Sequence, residues 1–417
     1  MIGYKTFEKI PLSENKVADS KLLTDLLTQN ADKFGSVVNN KDSFRLQIIF
    51  TQIDRDEKNR PHFTSHFFHV TDQYFYPAST VKLPTAVLAL EKLNNLKLKG
   101  VDARTTMLTD SAWSGQSTVY NDPTSATGKP SVEQYIKKIL LVSDNDAFNR
   151  LYEFIGQAPL NDRLHQLGFK DAQILHRLSI PLTQEQNRHT NPVRFIDANG
   201  NLIFTQPMKY SDMVYQPRYD VAGRGYMEAG KDYYKGDVLV EKPMDFSKKN
   251  RVRLPYLHQM LQWVMFPESQ SGKGKLNLSA KDYSFLHKYM SMLPTESKYP
   301  NYPGPDYWPA YCKFMMMGSQ KGDWPNNNIR IFNKVGDAYG FLIDVAYIVD
   351  FESKTEFMVS CSMLCNSDGI FNDDKYDYET IGFPFMKNLG EVLYQYEKTR
   401  PRKYAPDLSK LVFDYSK

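Results

Sequence analysis

A chain of 417 residues, 41% hydrophobic and 24% charged, has the balance of a globular protein and enough apolar mass for one large domain or two ordinary ones. Its net charge of +4 is small for this length, and no dense Lys/Arg block stands out, so nucleic acid is not an implied partner. No apolar run approaches the ~18 residues of a membrane span. The opening Met1-Ile2-Gly3-Tyr4-Lys5 lacks the apolar core of a signal peptide, which leaves a cytoplasmic protein or one whose leader has been removed.

In chain order, residues 17–34 carry Leu22, Leu23, Leu26, Leu27 and Phe34 at helical spacing. Phe44 to Ile53 alternates like a strand, Asp54 to Pro61 reads as a polar turn, and His66 to Val70 as a second strand. His66 and His69 hint at a metal site, but no third ligand lies nearby, so they read as surface or cross-strand histidines and no metal or cofactor is expected. Val81 to Leu96 is an apolar-periodic helix with Pro84 in its first turn, expected to end near Gly100. Residues 111–130 are loop, Ser131 to Val142 a helix with a serine cap, Asp146 to Ile155 a second, and Leu160 to Leu167 a third.

Further on, Arg194-Phe195-Ile196 and Leu202-Ile203-Phe204 flank an Asn-Gly turn and form a hairpin. From there to Phe246 the chain is Tyr-, Lys- and Gly-rich and irregular. Leu254 to Phe266 and Asp282 to Leu293 read as helices, and Tyr299 to Trp308 as loop. Three strands follow at Ile329–Asn333, Tyr339–Asp350 and Glu356–Leu364, then a closing helix from Tyr378 to Tyr396. Cys312, Cys361 and Cys365 read as buried thiols; four residues of one straight strand span about 13 Å, too far for a bridge. An antiparallel sheet fed from both chain ends, with a helical region inserted, fits this order.

Three short motifs stand out. Ser79-Thr80-Val81-Lys82 opens the central helix and sets Ser79 and Lys82 on one face. The free N–H groups of a helix start favour negative charge on the serine oxygen, and a buried lysine amine can take its proton. Ser143-Asp144-Asn145 sits in a helix–helix connection, where an N-cap is the ordinary role of such residues. Lys334-Val335-Gly336 precedes the strand-like run from Phe341 to Val349.

Ser-x-x-Lys, Ser-Asp-Asn and Lys-Thr-Gly in this order resemble the signature of class A β-lactamases and penicillin-binding proteins, with Val335 in place of threonine. Gly340, Asp344-Val345-Ala346 and Asn187 to Val193 are also similar to the family pattern, and the resemblance covers about two-thirds of the chain. It implies an α/β (α+β) fold of β-lactamase/transpeptidase type: an antiparallel sheet flanked by N- and C-terminal helices, from 1–78 and 320–417, and an inserted all-α part over 79–319. Residues 194–250 are an extra insertion. The resemblance implies a serine hydrolase forming an acyl-enzyme, with Ser79 as nucleophile and Lys82 as its base. Ser143 passes a proton to the leaving nitrogen, and Lys334 holds a substrate carboxylate. The N–H groups of Ser79 and Asp337 form the oxyanion hole. Asn145 bonds Lys82 or the substrate, and Gly336 allows close approach. The implied partner is a small-molecule or peptide substrate, a β-lactam or a peptidoglycan-like compound, and the implied setting is periplasmic or secreted.

One departure matters. Class A β-lactamases activate the deacylating water with a glutamate in the omega loop. Aligning Gly168 and Arg177 without gaps sets Ser179 at that position, with Glu185 the nearest carboxylate. The acyl-enzyme is therefore expected to persist. Two alternatives stand beside this reading: a penicillin-binding-type peptidase or esterase of the same fold, and a catalytically silent binding protein.

Overall fold

The computed structural model describes residues 17–213, 227–270 and 274–416. Part of the 194–250 insertion and the opening five residues discussed above lie outside this range.

A five-stranded antiparallel sheet runs through the centre. Its strands are β1 (Gln47–Arg55), β2 (Pro61–Phe68), β3 (Ile329–Ala338), β4 (Phe341–Asp350) and β5 (Thr355–Leu364). The spatial order is β3-β4-β5-β1-β2, so the two ends of the chain meet where Ile48 pairs with Cys361. β3 is an edge strand, and its outer side faces the Ser79 turn rather than another strand. β2 begins earlier than the sequence suggests because Asp56 closes a tight turn, its carboxylate accepting from the Lys58 and Arg60 N–H groups at 2.9 Å. Asp54 and Arg55 consequently stay on β1.

The sheet is covered on both faces, and side-chain alternation assigns each residue to one of them. Ile331, Val335, Leu342, Ala346 and Ile348 pack with helices α1 (Lys21–Gln29), α2 (Ala31–Val38) and α10 (Phe383–Thr399). Phe332, Ile343, Val345 and Tyr347 face the helical region. Lys334 and Gly336 share that second parity with Phe332, which decides where their side chains go. The periodic run 17–34 breaks in two at Asn30, whose φ of −112° and ψ of 42° are not helical.

The helical region is built on α3 (Lys82–Leu96), an almost fully buried helix. Around it lie α4 (Val132–Val142), α5 (Asn145–Ile155), α6 (Gln157–Gln166), the short α7 (Gln184–Arg188), α8 (Leu254–Met265) and α9 (Ala280–Ser291). α3 stops at Leu96, four residues short of the expected Gly100, because Lys97 turns left-handed at φ 50°. The hairpin at 194–204 forms as expected, over Val193–Ile196 and Leu202–Gln206, and pairs further with Thr106–Thr109. The stretch expected to be irregular instead folds in part into short ladders. Tyr233, Tyr234 and Lys235 pair with Val238 to Val240, and Asp232 and Tyr233 pair in parallel with Ile370 and Phe371. His66 and His69 bond to Gln52 and to the Leu46 carbonyl, at 2.9 and 2.8 Å. The three cysteines are buried and free.

Candidate active site

Ser79 sits in a single 3-10 turn, Ala78–Val81, immediately ahead of α3. The expected α-helical first turn is thus tighter than anticipated. Ala78 enters it at φ 45°, a left-handed conformation that costs an alanine about 1–2 kcal/mol. Lys82 is the first residue of α3 and is completely buried.

The Lys82 ammonium is the hub. Its Nζ donates to Ser79 Oγ at 2.8 Å, to Asn145 Oδ1 at 2.7 Å and to Ser143 Oγ at 3.2 Å, and also to the Ser143 carbonyl. Burial pushes the amine well below its ordinary value, and the charge of Lys334 adds to that.

Local structure explains why Ser143 and Asn145 reach it. Asp144 is the cap of this connection, its carboxylate accepting from the Ala147 N–H at 2.8 Å. Ser143 closes α4 with φ 60°. The left-handed step and the cap reverse the chain between α4 and α5, which leaves the side chains on either side of Asp144 free to meet Lys82. The N-cap reading thus holds for the middle residue of the motif alone.

Lys334 comes from β3, which runs through Ala338 rather than ending at Asn333. Its Nζ donates to Ser143 Oγ and to the Val335 carbonyl, both at 2.8 Å. Burial lowers its amine to about 8. Gly336 lies on the same face. A Cβ there would stand 2.9 Å from Pro77 O, Ser79 N and Thr80 N. The glycine therefore lets the serine turn approach the strand closely. Asp337 follows, paired with Leu342 and exposed to solvent. Ser79, Lys82, Ser143, Asn145 and Lys334 are joined by one set of hydrogen bonds, with Gly336 and Asp337 against the turn.

The loop opposite is tied down by buried polar contacts. Arg177 Nε donates to Glu153 at 2.6 Å, and the Asn149 side chain bonds both the N–H and the C=O of Leu178. This delivers Ser179, at φ 56°, to within 2.8 Å of Asn145 Nδ2, whose hydrogen bond its Oγ accepts. Glu185 stands on α7, half exposed, with His189 Nδ1 at 3.7 Å. Among the described residues, no carboxylate is hydrogen-bonded to Ser79, Lys82 or Ser143.

Two features had no signal in the sequence. Cys312 is buried close enough to both lysines to feel them, its thiol pushed up to about 11, and so it is neutral there. Behind β3, Asn333 and Lys313 form a buried network: Lys313 Nζ donates to Asn333 Oδ1 at 2.7 Å, and Asn333 Nδ2 to Asp344 at 2.9 Å. It fixes the strand that carries Lys334.

Residues 30–216 match the family model described as the beta-lactamase enzyme family. No curated protein matches the chain. Among solved structures, it is similar to a beta-lactamase from Desulfarculus baarsii DSM 2075 (14% identity, 88% of this chain and 98% of that one, TM-score 0.46). It is similar to a beta-lactamase from Streptosporangium roseum (12%, 89% and 98%, 0.48) and to PBP-A (13%, 92% and 98%, 0.47). Three motifs in family order and the match over residues 30–216 agree: over that segment the chain is similar to the beta-lactamase enzyme family.

Proposed function

We propose that this protein is a serine hydrolase that forms an acyl-enzyme through Ser79. The observation that carries the reading is the 2.8 Å contact between Ser79 Oγ and the buried amine of Lys82. With its proton lost, that amine accepts the serine proton as Oγ attacks a carbonyl carbon. The N–H groups of Ser79 and Asp337 receive the developing oxyanion. Ser143, bonded to both lysines, hands a proton to the leaving nitrogen and is resupplied by Lys334. Protonated Lys334 also offers a positive charge to a substrate carboxylate.

The substrate is a small molecule or peptide with an amide or β-lactam carbonyl; a peptidoglycan-like peptide fits the same chemistry. Ser179 beside Asn145 favours the penicillin-binding type of behaviour, because a hydroxyl cannot activate water as a carboxylate does. Acylation then outruns deacylation. The usual setting of the family supports an exported protein. The topology also supports the division into a sheet part, 1–78 with 320–417, and a mainly helical part, 79–319.

The test is intact-protein mass spectrometry after exposure to benzylpenicillin and to a fluorophosphonate. One stable adduct per chain is expected, absent in Ser79→Ala. An adduct that survives Ser79→Ala overturns the assignment, and failure of both probes to label favours a silent binding protein.

A further inference from the structure

A well-formed cavity lies away from Ser79. It holds about 510 Å³ and lies between the loop 175–188 and residues 247–249. None of Ser79, Lys82, Ser143 or Lys334 lines it. A layer of rings separates the two places: His176, which lines the cavity, stacks on Tyr76 with centroids 6.3 Å apart. Tyr339 packs on the same Tyr76 ring at 5.1 Å.

Among the described residues, the charged side chains of the wall have one sign. Ile180 and Leu182 supply an apolar side, and Arg188, Lys248 and Lys249 a cationic one. No Asp or Glu is among the described lining residues. Arg177 also reaches the wall, but Glu153 neutralises it. The other three cations have no such partner among the described residues. Arg188 donates to the Tyr210 hydroxyl at 3.3 Å and to the Met213 carbonyl at 2.6 Å, both uncharged. Among the described residues, the Lys249 amine meets Tyr339, with its hydroxyl at 3.3 Å and its ring centroid at 5.4 Å. Cations gathered on a recessed surface, without anions interspersed, focus a positive potential inside it. A concave site with apolar walls and a few convergent charges is how proteins hold small amphiphilic ligands.

We propose that this cavity binds an amphiphilic anion. Arg188, Lys248 and Lys249 hold its carboxylate, phosphate or sulfonate head, and Ile180 and Leu182 cover its apolar body. The site is separate from the acyl-transfer reading and stands without it.

The probe is 1-anilinonaphthalene-8-sulfonate, which joins a sulfonate to an apolar ring system and fluoresces when desolvated. Titrated into the full chain, it is expected to bind saturably, one molecule per chain, and more weakly as salt is raised. The pair Lys248→Ala and Lys249→Ala is expected to weaken binding about ten-fold or more, since charge-assisted contacts are the strong ones. Ile180→Glu, which adds a carboxylate at a partly exposed position, is expected to do the same. Arginine at both lysine positions restores binding, and thermal melting confirms that each variant is folded. Absence of saturable binding overturns the proposal. So does affinity unchanged within about two-fold in the alanine pair and in Ile180→Glu, or a loss that arginine does not restore.

Discussion

Lys334 Nζ donates to Ser143 Oγ at 2.8 Å, across 191 residues of sequence. The bond crosses from an edge strand to a helix–helix connection and closes the ring of contacts around Lys82. It also sets two buried ammonium groups on one hydroxyl, so their titrations are linked.

That linkage predicts the pH profile of acylation. Lys82 must be neutral to accept the serine proton, and burial with the Lys334 charge makes this accessible well below the usual lysine range. Lys334 must be charged to hold a carboxylate, and its amine titrates at about 8. The rate of penicillin labelling should rise as Lys82 loses its proton and fall above about 8. Lys82→Ala should slow labelling by about 10²–10⁴-fold. In Lys334→Ala the repulsion is gone, so the Lys82 value rises and the acid limb of the residual activity moves to higher pH. A limb that stays in place or moves down would separate the two lysines.

Ser179→Glu should speed loss of the acyl adduct. The position faces Asn145, and a carboxylate there can take a proton from water. Loss of the adduct, followed by mass, should accelerate by about 10²–10⁴-fold, the usual worth of a positioned base. The left-handed backbone at φ 56° costs glutamate no more than it costs serine, so the variant should fold. An adduct lifetime unchanged from wild type would show that this loop position does not serve the ester.

Gly336→Ala should cost both stability and rate. All three atoms that its Cβ would meet at 2.9 Å are backbone atoms and cannot swing aside. Overpacking of this kind costs about 1–3 kcal/mol. A displacement of the serine turn by about 1 Å would slow labelling some 10²-fold. Denaturant melts together with labelling rates check both. If Gly336 served substrate access alone, labelling would suffer and the melting midpoint would not.

Glu153→Ala should destabilise the protein by about 3–5 kcal/mol, because it strands buried Arg150 and Arg177 without their shared carboxylate. Glu153→Gln keeps an acceptor and should cost less. Urea titration measures the difference. Equal losses in the two variants would argue that packing, rather than charge, holds the loop.

Much of the site was legible because its residues keep a fixed order and the elements around them announce themselves. The serine cap of α4 lies where the sequence sets it, and so the Ser143 connection does too. β3 was read short because Lys334, Gly336 and Asp337 interrupt an apolar run; the strand continues through them because they pair with β4 through their backbone. Lys313, Asn333 and Asp344 look like unrelated polar residues until tertiary packing brings them together out of water. That Gly336 also seats the serine turn was not legible, since spacing along a chain does not reveal which surface a strand presses against. The short ladders between Glu228 and Asp245 lack strict alternation because much of their surface is exposed, and one of them depends on Ile370 and Phe371, far along the chain.

The strand order has a consequence for synthesis. β1 and β2 leave the ribosome early, but the inner edge of β1 is completed only by β5, which emerges near the end. Throughout translation of the helical region, the backbone from Gln47 to Gln52 has no ladder on that side. An apolar strand with one open edge invites pairing with other nascent chains. Premature termination anywhere before Thr355 would therefore leave an adhesive hairpin rather than a partial enzyme.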